Sequence, residues 1–123
     1  MLNRTREYVD DAPISRTSRP IGYYISTSAI DALAAEFGQY LEKISPEYKC
    51  QMGSALFDVL GGDTEDYSIL DSLTLVDPDG LMPDALSNAI TRIGEEDSNE
   101  AIVLLLSALA AYVADDIRNG QEG

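Results

Sequence analysis

Histidine and tryptophan are both absent from this 123-residue chain, and Cys50 is its one cysteine. Without histidine, the commonest zinc ligand and the commonest general acid–base are missing. A single cysteine excludes an intramolecular disulfide, and nothing points to a secreted disulfide scaffold. Cys50 has no histidine to activate it as a nucleophile, so within a helical pattern it reads as a small, partly buried residue. Positive charge is scarce beyond residue 49, where only Arg92 and Arg118 stand against fifteen acids, a net of −13. Residues 1–49 hold seven acids and six bases, a net of −1, which brings the whole to −14. Phosphates would be repelled by the C-terminal part, which argues against nucleic acid or an anionic membrane as its direct ligand. No apolar run approaches the roughly 20 residues that span a bilayer. Arg4 and Arg6 open the chain without an apolar segment after them, so no secretory signal is read. A soluble cytoplasmic protein is the expectation.

What the chain does have is apolar residues, 45% of the total, enough to build a core despite the charge. The length fits one domain. Thirteen of the fourteen residues from Ala101 to Ala114 are apolar, Ser107 alone interrupting them. Acids flank this run: Glu95, Glu96, Asp97 and Glu100 before it, Asp115 and Asp116 after it. The expected fold is all-α: four to five helices packed around this C-terminal helix, with a short two-stranded ribbon as an option.

Taken in order, residues 1–20 are polar, carry four of the eight bases and include Pro13 and Pro20. They read as an irregular arm that either lies over the body or contacts a partner, with a single helical domain at 21–123. Ile21 to Ser26 has strand-like composition and could pair only with Ser72 to Val76. A helix over 28–44 is predicted from Ser28 and Asp31 as a capping pair and from Ile30, Leu33, Phe37, Tyr40, Leu41 and Ile44 on one face. The next helix runs from Pro46 to Leu60, with Ser45 as N-cap and Gly61-Gly62 as its stop. Its buried stripe is Tyr48, Met52, Ala55, Leu56, Val59 and Leu60. Residues 63–71 fit a short helix or a turn, and Asp77-Pro78-Asp79-Gly80 a turn. Another helix starts near Pro83, buries Met82, Leu86, Ala89, Ile90 and Ile93, and ends at Gly94. The last is capped by Asp97 and Glu100, runs to about Arg118 and closes at Gly120. Being apolar nearly all round, it should be covered nearly all round by the helices at 28–44, 46–60 and 83–93.

No motif carries catalysis or metal binding. Read as an EF-hand with Gly80 at its sixth position, the 77–80 turn would put Leu75 and Leu86 where oxygen ligands must be. Gly61-Gly62-Asp63 has neither the lysine nor the spacing of a phosphate loop. Ser107 is expected to bond a backbone carbonyl one turn back, not to act as a nucleophile. Paired carboxylates abound without a pocket signature, so no enzymatic activity, cofactor or metal is expected.

The acids sort by position. Asp31, Asp84, Asp97 and Glu100 lie at helix N-termini, where the helix dipole favours them. Asp115 and Asp116 lie in last helical turns, where it disfavours them. Asp63, Glu65, Asp66, Asp71, Asp77 and Asp79 crowd one connecting region without a base. These two groups, with Glu95 and Glu96, are the candidate partner-binding residues. A basic protein partner follows: a nucleic-acid-binding enzyme whose DNA groove the chain would fill, or a basic toxin neutralised by an acidic immunity protein. A structural or adaptor domain is the third option and predicts carboxylates spread evenly. Ala108, Ala110, Ala111 and Ala114 would allow close approach of another helix and hence a homodimer.

Gly80-Leu81-Met82-Pro83-Asp84, preceded by Asp77 and Asp79 and followed by helix, resembles a segment of the Ocr-like DNA-mimic antirestriction proteins of T7-like phages. Leu56-Phe57-Asp58-Val59 and the acidic linker after it are similar in placement, and together these cover about a third of the chain. The basic arm and the more apolar final helix depart from that family. The resemblance implies an all-helical acidic dimer that occupies the DNA groove of a restriction, CRISPR-type or other host defence enzyme, acting as an inhibitor encoded by a phage or mobile element.

Overall fold

The computed structural model describes residues 16–62 and 66–120. It is all-helical over these residues, with six helices: α1 Ile21–Tyr24, α2 Ser28–Phe37, α3 Pro46–Leu60, α4 Ile69–Val76, α5 Asp84–Glu96 and α6 Asn99–Arg118. The two segments expected to pair as a ribbon are helical instead, Ile21–Tyr24 as α1 and Ser72 to Val76 within α4. In α4 the apolar residues fall at helical spacing, and a capping box starts the helix: Ser68 accepts from the Asp71 amide while Asp71 accepts from the Ser68 amide.

Helix starts follow side-chain chemistry. Ser45 caps α3 by accepting from the Tyr48 amide at 3.2 Å, with Pro46 in the first turn. Ser98 caps α6 through the Ala101 amide. The α2 cap is Thr27, one residue before the expected Ser28; its hydroxyl accepts from the Ile30 amide and donates to Asp97, tying α2 to the end of α5. Asp31 accepts from Ser26.

The helix predicted over 28–44 ends at Phe37. Gly38 adopts φ 101°, a region that L side chains avoid, and the Glu42 carboxylate fills the space a Cβ would need. A tight turn then carries Leu41, at φ 51°, and Ile44 into the core. The burial pattern was therefore right and the element wrong. Gly94 likewise does not end a helix. It lies inside α5, where the Ile69 side chain occupies the place of its missing Cβ. This contact sets α4 and α5 as an antiparallel hairpin, since Ile69 opens α4 and Gly94 is near the end of α5. Asp77 closes the connection: its carboxylate accepts from the Leu81 and Met82 amides at 3.0 and 3.1 Å.

One core unites the helices, built on Ile30, Leu33, Met52, Leu56, Leu86, Ile90, Ile93, Ile102 and Leu105 among others. The centre is shared: α3 packs against α4, α5 and α6, while α6 takes its main cover from α3 and α1. In α6 the buried residues are Ala101, Ile102, Leu105, Ala108, Leu109, Tyr112, Asp115 and Asp116, a stripe at three- and four-residue spacing. The opposite face is open: Val103, Leu104, Ser107, Ala110, Ala114 and Ile117 are exposed, with Leu106, Ala111 and Val113 half-buried. Ser107 donates to the Val103 carbonyl, as expected, but on the open face. No described helix is long and apolar enough to cross a membrane.

Candidate acidic interface

Asp115 and Asp116 continue the buried stripe of α6 past Tyr112, and this overturns their expected role as partner-facing residues. Asp115 is buried and collects donors from a separate segment: the Thr17 and Ser18 amides at 3.1 and 3.2 Å, the Ser18 hydroxyl at 2.6 Å and the Thr17 hydroxyl at 3.0 Å. Arg118 adds an ion pair at 2.5 Å. Burial by itself would raise the Asp115 pKa, but the donors of Ser18, Thr17 and Arg118 outweigh it and hold the carboxyl well below the usual range. Asp116 pairs with Lys49 of α3 at 2.5 Å, and the lysine side chain is only 3% exposed. Both aspartates are thus anchors: one clamps residues 17–18 to α6, the other joins α3 to α6.

The lysine was missed by sequence reasoning, yet its spacing marks it: Lys49 precedes Met52 by three residues on the buried face of α3. The same spacing marks the aspartates, three and four residues after Tyr112. Tyr112 is buried too, its hydroxyl donating to the Arg19 carbonyl at 2.7 Å, and burial pushes its pKa up. Cys50, expected to be partly buried, is exposed.

The remaining candidate residues gather on the α4–α5 hairpin and its flanks. Asp66 is exposed just before α4, and Asp71 is exposed in the first turn of α4. Asp79 is exposed in the connecting turn, beside the half-buried Asp77. Glu95 and Glu96 are exposed at the end of α5, where Arg92 pairs with Glu96 at 3.1 Å. Asp63 and Glu65 lie outside the described residues. The hairpin brings Asp66 and Asp71 to the same end as Glu95 and Glu96, with Asp77, Asp79 and Asp84 at the other. From 66 to 100 there are nine acids and one base, Arg92.

Between these carboxylates stand exposed leucines: Leu70 on α4, Leu75 near its end and Leu81 after the turn. Behind the hairpin, the Asp58 carboxylate of α3 accepts from the Tyr67 and Ser72 hydroxyls, which lower its pKa and tie α4 to α3. No group of three or more potential metal ligands occurs among the described residues.

Fold and surface define an acidic helical protein, with nine of its acids between residues 66 and 100, on the α4–α5 hairpin and its flanks. Neither a family model nor a characterised protein nor a solved structure matches the chain.

Proposed function

We propose that this protein is an inhibitory binding protein whose acidic α4–α5 hairpin occupies the nucleic-acid groove of a host defence enzyme of the restriction or CRISPR type. The observation that carries the reading is the charge left at 66–100 once Asp115 and Asp116 have been taken inside: nine acids against Arg92. The 13 residues of α5 span about 20 Å at about 1.5 Å per residue. The same length of duplex carries about twelve phosphates, at one per about 1.7 Å. The net charge per length is therefore of the same order, and a basic groove would be drawn to it at long range. Local structure accounts for six of the nine: Asp71 and Asp77 serve a cap and a turn, Asp84 and Glu100 lie in first helical turns, Asp97 accepts from Thr27 and Glu96 pairs with Arg92; Asp66, Asp79 and Glu95 have no such task in view. The segment at 80–84 that resembles the Ocr-like proteins lies at the turn end of this hairpin and points the same way.

Competition tests it. A purified defence nuclease is loaded with labelled duplex DNA and titrated with the protein at low and then high salt. Displacement that weakens as salt rises supports mimicry. Simultaneous binding of DNA and protein would show it to be wrong.

A second reading, an acidic immunity protein for a basic toxin, is favoured by the exposed Leu70, Leu75 and Leu81. Apolar anchors ringed by charge are what a protein surface with pockets recognises. Under that reading Leu75→Ser weakens binding at least as much as Asp79→Asn, and duplex DNA does not compete.

A further inference from the structure

The face that α6 leaves open is continuous with α3. Together they form an apolar groove of about 570 Å³ whose floor and walls include Gly53, Leu106, Ala110 and Ala114. Phe57, 70% exposed, stands at one end and Ile117, 55% exposed, at the other. No carboxylate lines it, in a chain of net charge −14, and its one charged residue, Lys49, is turned inward onto Asp116. A basic partner would find nothing here to select it.

We infer that this groove is the interface between two copies of the chain. Lys49 pairs with Asp116 while Gly53 lies beside Leu106 and Leu109, so α3 and α6 run antiparallel. Phe57 and Ile117 therefore project at opposite ends, with the small residues Gly53 and Ala110 between them. A two-fold axis over the middle places the Phe57 of each copy above the Ala114 end of the other. One surface thus supplies both the projection and the hollow, which a closed two-fold contact requires. Neutrality matters as much as shape, because this face brings no lining carboxylate into the contact and leaves the α4–α5 hairpins out of it. The open stretch of α6 from Val103 to Ile117 is about 21 Å long, and with α3 beside it about 20 Å wide. Its flat area of roughly 400 Å² is about half of what a standard interface covers per partner. The dimer is accordingly a dissociating one, in the micromolar range.

The inference does not rest on the proposed inhibitory function, and its test involves no partner enzyme. Sedimentation equilibrium of the full chain, from low to high micromolar, should show the mass rise from 13.3 kDa towards twice that value. Raising salt should strengthen association several-fold, because screening removes repulsion between the acidic bodies; a contact built on ion pairs would weaken. Ala110→Asp, at an exposed position in the middle of α6, should be monomeric throughout, with its helical melting curve as the check on folding. Phe57→Ser removes a side chain that contributes little to the core and should weaken the dimer tenfold or more, which keeps the test valid if the aspartate disturbs α6. Leu81→Ser, beyond the other side of α3, should leave it unchanged. A wild-type monomer at high micromolar concentration, species larger than two copies, or an Ala110→Asp dimer of undiminished affinity would each overturn the inference.

Discussion

Replacing Lys49 by Met strands the Asp116 carboxylate, and replacing Asp116 by Leu strands the Lys49 ammonium. The two losses should not be equal. The Asp116 side chain keeps 12% of its surface, so water reaches it once the lysine is gone, whereas Lys49 keeps only 3%. Breaking a buried pair by removing one member costs about 3–5 kcal/mol. Lys49→Met should fall at the lower end, about 3 kcal/mol, and Asp116→Leu at the upper, about 5 kcal/mol. A domain of this size is stable by about 5–15 kcal/mol, so either change removes a large share. The melting point should drop by roughly 10–25 °C. The double variant puts two apolar side chains where the pair stood, between α3 and α6, and such replacements are often neutral. It should recover to within about 2 kcal/mol of the wild type. Urea unfolding followed by far-ultraviolet circular dichroism gives all three values, provided the slope with denaturant is shared. The reasoning fails if Lys49→Met costs less than about 1 kcal/mol, or if the double variant loses the sum of the singles.

Three further outcomes follow from the same geometry. Asp115→Asn should cost about 2–3 kcal/mol at neutral pH. Because the folded pKa of Asp115 is depressed, its contribution is complete above the unfolded value of about 3.9 and is lost as the pH falls from there through the folded value, since the unfolded chain takes up the proton first; the Asn variant should show a flatter acid-unfolding profile. Gly94→Ala should destabilise by about 1–3 kcal/mol because the new methyl meets Ile69, whereas alanine at an open helix position would stabilise by up to about 1 kcal/mol; thermal melts distinguish the signs, and the same change should cost less in an Ile69→Ala background, where the clash is gone. Thr27→Ala removes the α2 cap and the link to Asp97 and should cost about 1 kcal/mol, with faster amide exchange in the first turn of α2.

Local chemistry was legible in the chain. Ser45-Pro46 started α3 and Gly61 stopped it where expected, the 77–80 turn formed, and the apolar periodicities of 46–60 and 83–93 named Met52, Ala55, Leu56, Leu86, Ile90 and Ile93 as buried, though not Lys49. Such features depend on a few neighbouring residues, so the sequence by itself determined them, and with them the all-α class. Some errors were local too: Thr27 caps in place of Ser28, because hydroxyls at adjacent positions compete for the same amide.

The larger differences came from tertiary contacts. Glycine at 38 and at 94 looks alike in sequence; one bends the chain out of α2 under the Glu42 side chain, and the other admits Ile69 into the side of α5. Only the approach of a second segment distinguishes them. The 101–114 run demanded cover on composition, but the available helices reach one face of it, and the other face is left open. Asp115 and Asp116 carry the plainest case. As residues near a helix C-terminus they looked costly and free. Folding supplies each with partners distant in sequence, Thr17 and Ser18 for one and Lys49 for the other, and turns two apparent surface charges into anchors of the core. A carboxylate's cost is set by the donors around it, and no local pattern shows which donors a fold will deliver.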